Sequence, residues 1–401
     1  MLMRGGNGAI LSVPKKSFKD DFRKQMNIYP RGKKYDIAFF NLTTTTKHGG
    51  IETFNWEMAR ILAERGHTTH IYGGASEEPF PSSGRVHFHL FPYIAREKFP
   101  DLGSRFRKFA ERISFGKHAL PELKRTRHDY IYVSKPFDIP VALLAARGTG
   151  SKVIFGSGGT EFFPGYRSLV RRLDYFFACS RFNATQIQNY CGIRPLVLYN
   201  GINTERFVPS PPEHGLKATL GIREEEIVIV TVCRLVGWKG VKYSIQAVSK
   251  LIDIGYPARY LVIGDGEDRP VLQDLAARLG MREEILFLGR VSNTLIPKYY
   301  SIATMAIFPS VADETFGISI AEAMACGVPA ISTEIGGIPE VVKEGAGILV
   351  SPRDSDALAQ AAKRIIDDQD LREKLGESGR RHVMECFRWE KIVSDFENYI
   401  G

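Results

Sequence analysis

Leu196-Val197-Leu198-Tyr199-Asn200-Gly201 is a short apolar run stopped by an Asn-Gly turn, and Pro209-Ser210-Pro211-Pro212-Glu213-His214-Gly215 follows it. The run reads as a strand, and the Pro-rich polar segment reads as a linker between two folded units. Upstream, Asp36-Ile37-Ala38-Phe39-Phe40 reads as a strand. A helical pattern runs from about Ile51 to Arg65, ended by Gly66. Strands are expected at Thr69–Tyr72, 86–91, 129–133, 152–156, 175–178 and 196–199. Downstream the alternation restarts, with strands at Ile227–Val232, Tyr260–Ile263, 285–288, 305–308 and Pro329–Ser332. Helices at 241–254, 270–279, 294–302 and 317–326 separate them, and two helical segments near 354–367 and 371–400 close the chain. Short β-branched runs alternating with helices are the mark of βαβ units and a parallel sheet. A chain of 401 residues is long enough for two cores. The expected fold is therefore α/β, two doubly wound domains in tandem with a cleft between them. Ligands of such sheets bind beyond the carboxyl ends of the strands.

Composition narrows the class. No window approaches the roughly 20 apolar residues that span a bilayer. The first apolar run, Ala9–Val13, is too short for a secretory signal core of about 7–15 residues. The five cysteines are scattered without a C-x-x-C pair and read as reduced thiols of a cytoplasmic protein. The formal net charge of +9 is concentrated in two segments, +7 in residues 1–34 and +6 in residues 96–127, which leaves the rest slightly acidic. A near-neutral body with two basic patches is no global nucleic-acid binder.

Four loops carry candidate chemistry. In Asp313-Glu314-Thr315-Phe316-Gly317-Ile318-Ser319-Ile320-Ala321-Glu322, a loop after a strand leads into a helix. The helix N-terminus offers free N–H groups and the positive end of a dipole, which suit a phosphate. A carboxylate before that end and another inside it could hold hydroxyl groups on either side. By spacing alone, the ordinary reading is the stronger one: Glu314 in a polar loop, Glu322 on a solvated helix face. Cys233-Arg234-Leu235-Val236-Gly237-Trp238-Lys239-Gly240 places two cations after a strand, where Arg forks onto phosphate oxygens and Lys acts as a point charge. Lys47-His48-Gly49-Gly50-Ile51-Glu52 is a Gly-Gly turn at a helix start, either an anion site or a plain turn. Gly156-Ser157-Gly158-Gly159-Thr160-Glu161 is a cleft-lining loop or a plain Gly-rich turn. Gly264-Asp265-Gly266 lacks the rest of a dinucleotide fingerprint. No histidine spacing matches a metalloenzyme motif, His87 and His89 alternate in a strand and read as structural, and no protein-bound metal is expected.

In order and spacing, these pieces resemble the family 4 retaining glycosyltransferases of the GT-B fold. The likeness runs from about Tyr35 to the C-terminus. It includes Gly49-Gly50-Ile51-Glu52, Ala63–His67, Asn200–Asn203, Arg234 with Lys239-Gly240, Phe287–Val291, and Glu314/Glu322 around Phe316-Gly317. The resemblance implies two Rossmann-like domains, with 35–205 taking the acceptor and 206–385 the donor. A basic extension would precede them (1–34), and a helix (386–401) would cross back to the first domain. It implies that Arg234 and Lys239 neutralise the donor diphosphate and that Glu322 accepts from ribose hydroxyls. Glu314 would hold the transferred sugar, and Thr315 with the backbone of Phe316, Gly317 and Ile318 would line sugar and phosphate. Val291 would meet the base and Gly50 the diphosphate. The co-substrate implied is a nucleoside-diphosphate sugar, UDP-sugar first and GDP-sugar second, with no bound cofactor. The acceptor would be a glycan, a lipid-linked sugar or a small molecule. Many relatives carry a histidine after the strand ending here at Phe155. This chain has Gly156-Ser157-Gly158-Gly159, so His48, Ser157 and Glu161 are the acceptor-side candidates. The rival readings are another GT-B enzyme, such as a sugar-nucleotide epimerase or a phosphorylase, and a non-catalytic nucleotide-sugar-binding protein.

Phe99, Leu102, Phe106, Phe109 and Ile113 recur at helical spacing, with Arg105, Arg107, Lys108 and Arg112 beside or opposite them. This pattern fits a core-packed helix with a solvated basic face. It also fits a helix within 98–127 resting on an anionic membrane, which would place the protein at the inner membrane face.

Overall fold

The computed structural model describes residues 33–47, 49–76 and 85–401. Residues 1–32, which make up nearly all of the basic extension, and His48 lie outside the described residues. Among the described residues, thirteen strands form two all-parallel sheets. The first comprises β1 (Asp36–Phe40), β2 (Thr68–Gly74), β3 (Val86–Phe91), β4 (Tyr130–Val133), β5 (Lys152–Ser157), β6 (Tyr175–Ala178) and β7 (Leu196–Val197), in the order β3-β2-β1-β4-β5-β6-β7. The second comprises β8 (Ile227–Val232), β9 (Ala258–Ile263), β10 (Ile285–Gly289), β11 (Met305–Phe308), β12 (Ala330–Thr333) and β13 (Ile348–Val350), in the order β10-β9-β8-β11-β12-β13. Helices cover both faces of each sheet, which is why the central strands are near-continuous apolar runs such as Ile227-Val228-Ile229-Val230. These are two Rossmann-like domains.

The helices of eight or more residues among the described residues are α1 (Gly50–Glu64), α2 (Ser104–Thr126), α3 (Ile139–Ala146), α4 (Arg181–Cys191), α5 (Val241–Asp253), α6 (Arg269–Arg278), α7 (Ile318–Ala325), α8 (Ser355–Asp367), α9 (Gln369–Cys386) and α10 (Trp389–Ile400). The expected segment 371–400 is therefore two helices, broken at Phe387-Arg388. There Ile202 N–H donates to the Phe387 carbonyl at 2.7 Å, so the two chain crossings run side by side. Trp389, Ile392, Val393, Phe396 and Ile400 form the buried stripe of α10, packed on α1 and the underside of the first sheet. Each such side chain contributes about 1.5–3 kcal/mol by burial. The Arg65 guanidinium and His67 Nε2 both reach Glu397, at 2.5 and 3.0 Å, and fasten the helix.

Helix α2 differs from the core-packed reading. Phe115, Ala119 and Leu123 face the core. The stripe read from the sequence points outward, with Leu102 70%, Phe106 39%, Phe109 42% and Ile113 39% exposed. Arg105 and Lys117 flank it, both exposed. Arg112, expected on a polar face, is buried instead. It pairs with Asp138 and donates to Asn41 Oδ1 at 3.1 Å.

Candidate active site

In each sheet the strand order reverses once, between β1 and β4 and between β8 and β11. Loops leaving such a switch point diverge to opposite faces and open a crevice. The four loops at the two switch points carry Gly49-Gly50, Ser134-Lys135, Arg234 through Lys239, and Glu314 through Gly317. The two crevices face each other. Between them lies a cavity of about 500 Å³ whose wall includes Gly50, Arg234, Lys239, Glu314 and the backbone of Phe316, Gly317 and Ile318. A second cavity of about 370 Å³ lies on the first-domain side and includes Lys135, Ser157 and Glu161. Arg234, Trp238, Glu314, Thr315, Gly158 and Ile51 line both, so the two lobes meet at these residues.

The cationic loop is tightly organised. The Lys239 ammonium pairs with the Glu314 carboxylate. The Trp238 ring lies 4.5 Å from Lys239 Nζ and 5.8 Å from the Arg234 guanidinium, within cation–π range. Gly317 is the N-cap of α7 at φ 98°, a left-handed conformation that favours glycine. Across the cleft, a Cβ on Gly50 would stand 2.7 Å from Ile318 Cδ1, so a side chain at 50 would have to push the tip of Ile318 aside.

Contacts between the domains set this approach. Thr315 Oγ1 donates to the Gly158 carbonyl at 3.0 Å. The Glu340 carboxylate accepts from Arg181 N and Phe182 N, both at 2.8 Å, and from the Tyr199 hydroxyl at 2.9 Å. A second-domain carboxylate thus occupies the N-terminus of α4 in the first domain, where the helix dipole favours negative charge.

Glu322 does not lie on a solvated face. Helix α7 is apolar nearly all round and buried, and Glu322 is 9% exposed. Burial pushes its pKa up to about 7, against the pull of an Asn293 hydrogen bond (3.3 Å) and of Arg206. The carboxyl therefore favours the folded state in its protonated form. That stabilisation is complete below the ordinary value of 4.5 and lost as pH rises to about 7. Glu322→Gln should remove a destabilisation of about 3 kcal/mol that wild type acquires over this range. Denaturant melts at pH 5 and pH 8 check it, and equal pH dependence in both proteins would contradict it.

Glu322 and Val291 stand outside the wall of the main cavity, with Asn293 linking the Val291 loop to Glu322. The loop 156–161 does line the cleft. Its Ser157 hydroxyl, however, donates to the Gly159 carbonyl at 2.8 Å and closes its own turn. Glu161 pairs with Lys108 at 2.8 Å. Burial raises its pKa, but the Lys108 hydrogen bond and Lys135 outweigh that and leave it lowered. Lys135, its own pKa lowered by burial, was not legible as a site residue. Only the β4–β5 adjacency brings it beside Glu161. Trp238 lies within Cys233–Gly240, but its contacts with two cations arise only from the fold of the turn.

Known proteins share this two-domain fold. The family described as "Glycosyltransferase Family 4" matches residues 48–206, and "Glycosyl transferases group 1" matches 215–382. A GDP-mannose-dependent monoacylated alpha-(1-6)-phosphatidylinositol monomannoside mannosyltransferase of Corynebacterium glutamicum is 30% identical over 71% of this chain and 79% of its own. The N-acetyl-alpha-D-glucosaminyl L-malate synthase of Bacillus anthracis is 35% identical over 45% of this chain, which spans about half (47%) of that relative. Among solved structures, Anabaena Alr3699/HepE in complex with UDP and glucose superposes with TM-score 0.75 at 21% identity, covering 91% of this chain and 98% of that one. The two Rossmann-like domains facing a cleft are the GT-B fold. This chain belongs to the family 4 glycosyltransferases.

Proposed function

We propose that this protein is a retaining glycosyltransferase that moves a hexose or N-acetylhexosamine from a nucleoside-diphosphate sugar to a carbohydrate, lipid-linked or small-molecule acceptor. The observation that carries this reading is the meeting of the two cavities at Arg234, Glu314 and Gly158. The 500 Å³ lobe takes the nucleotide sugar, with the diphosphate over the α7 N-terminus and against Arg234 and Lys239. The UDP held by the Anabaena protein makes a UDP-sugar the first donor to try, and the mannosyltransferase's GDP-mannose the second. The 370 Å³ lobe takes the acceptor, beside Lys135 and Glu161.

In the reaction the bond between the anomeric carbon and the phosphate oxygen breaks, and the electron pair leaves with the nucleoside diphosphate. Arg234 and Lys239 neutralise that growing charge. Glu314 faces the positive charge left on the sugar. The acceptor oxygen bonds to the anomeric carbon from the same face, and its proton passes to the departing phosphate oxygen. Configuration is retained. Glu322, one helical turn into α7, accepts from ribose hydroxyls. Incubation with UDP- and GDP-sugars tests the reading. Nucleoside diphosphate should appear in step with a glycosylated acceptor of unchanged anomeric configuration. Epimerised nucleotide sugar formed without acceptor would refute it.

The acceptor lobe opens beside the exposed stripe of α2. Lys108 binds Glu161 at its rim, and Phe109, Phe137 and Phe163 form a continuous ring contact (6.1 and 4.9 Å). Apolar exposure flanked by Arg105 and Lys117 suits an anionic lipid surface, with acceptors delivered from the membrane on the cytoplasmic side. Co-sedimentation with anionic vesicles should be strong at low salt, weaker at high salt, and reduced at least about tenfold by Phe106→Ser/Phe109→Ser, at roughly 1.5–3 kcal/mol per large apolar side chain. Absence of low-salt binding would rule this placement out.

A further inference from the structure

At the amino ends of the first sheet, away from the cleft, a carboxylate and two imidazoles converge. Asp36 opens β1, His70 is the third residue of β2, and His128 immediately precedes Asp129 and β4. One ligand-capable atom from each lies within 4.8 Å of the others. A strand rise of about 3.3 Å per residue puts this cluster about 15 Å from the switch-point loops.

Both rings are held from behind. His128 Nε2 lies 2.8 Å from the Tyr72 hydroxyl, and His70 Nδ1 lies 2.9 Å from His89 Nε2. These contacts fix the ring rotations and aim His128 Nδ1 and His70 Nε2 at the two oxygens of one carboxylate. Metal-ligating histidines are held in this way through the second nitrogen. His70 Nε2 stands 3.3 Å from Asp36 Oδ2. Tetrahedral ligands with bonds of about 2.0 Å also stand about 3.3 Å apart, whereas His128 Nδ1 and Asp36 Oδ1 are in direct hydrogen-bond contact and would part to admit an ion. The His128 side chain is 0% exposed, that of His70 9% and that of Asp36 32%, so the carboxylate side is the open one.

We propose that Asp36, His70 and His128 bind one divalent transition-metal ion of the zinc class, with water completing the coordination. The ion would pin the amino ends of β1 and β2 to the connection between α2 and β4. Two imidazoles and a carboxylate suit zinc, whereas magnesium and calcium prefer all-oxygen sites. The site is structural and takes no part in sugar transfer. The ligands lie 34 and 58 residues apart in the chain, so no local spacing announces them. Without an ion, the same residues form a hydrogen-bonded set in which Asp36 accepts from both rings. Saturable metal uptake separates the two states.

The test uses the tag-free full-length chain, stripped with EDTA and titrated with Zn2+ by calorimetry, with melting temperature followed in parallel. Saturation at one ion per chain is expected, and the melting temperature should rise with Zn2+. His70→Asn and Asp36→Asn should each abolish the saturable phase. His89→Gln, which keeps all three ligands but alters the support behind His70, should weaken it about 10- to 100-fold. Metal-free melts of each variant establish that it folds. A wild type with no saturable phase overturns the proposal. So does a phase left unchanged by His89→Gln and by whichever ligand variants fold.

Discussion

Arg234→Ala should lower kcat about 100- to 1,000-fold while changing nucleotide affinity far less. Arg234 stands where the two lobes meet and, among the described residues, has no acidic partner within ion-pair distance. Its charge is therefore free to respond to the leaving diphosphate. Lys239 is already committed to Glu314, and on the proposed reaction it exchanges that carboxylate for phosphate as the donor binds. A fixed cation aimed at charge that appears only in the transition state acts on kcat rather than on ground-state binding. Arg234→Lys should recover part of the rate, because it keeps the charge but loses the fork. Steady-state kinetics beside calorimetric nucleotide titration check this. An equal loss in affinity and rate would make Arg234 a ground-state binding residue instead.

Arg112→Met should destabilise the folded protein by about 3–5 kcal/mol, the usual cost of removing one partner from a buried ion pair. Asp138 is 0% exposed, and its Oδ1 has no hydrogen-bond partner among the described residues. Burial raises its pKa to about 6 even with Arg112 attached. Without the guanidinium the carboxyl keeps its proton to still higher pH, so the penalty on the folded state grows as pH rises. The gap between variant and wild type should be wider at pH 8 than at pH 5 in denaturant melts. A gap below about 1 kcal/mol at pH 8 would mean that the pair contributes no more than a surface salt bridge.

The alternation of β-branched runs and helices made both sheets legible, because strands buried on two faces leave continuous apolar stretches. Elements that escaped the reading include β13, α3 and α4: β13 has only three residues, α3 is apolar nearly all round, and α4 (Arg181–Cys191) has weak periodicity. The break at Phe387 does not show in the periodicity of 371–400; the resemblance alone implied a separate helix from 386, and the helix beginning at Trp389 packs on the first domain. The positions of Arg234, Lys239 and Glu314 followed from strand ends, and the structure brings them to one cavity. Spacing alone favoured a solvated helix face for Glu322, a reading that the resemblance overturned. Ile318-Ser319-Ile320-Ala321-Glu322-Ala323-Met324-Ala325 is apolar all round, the mark of a buried helix, and that signal outweighed the lone carboxylate. Arg112 and the outward stripe of α2 were not separable from sequence, since the deciding partner, Asp138, lies 26 residues on. Lys135 and the Asp36–His70–His128 cluster likewise exist only through parallel strand pairing.

The claim at the centre is that the cavity between the domains is a nucleoside-diphosphate sugar site. A thermal-shift panel of UDP, GDP and ADP with their sugars, run on wild type and Glu322→Ala, tests it most directly. At least one nucleotide should raise the wild-type melting temperature in a saturable way, and the rise should be lost or sharply weakened in the variant. A wild type indifferent to every nucleotide would contradict it, and a shift that Glu322→Ala leaves intact would remove Glu322 from the site.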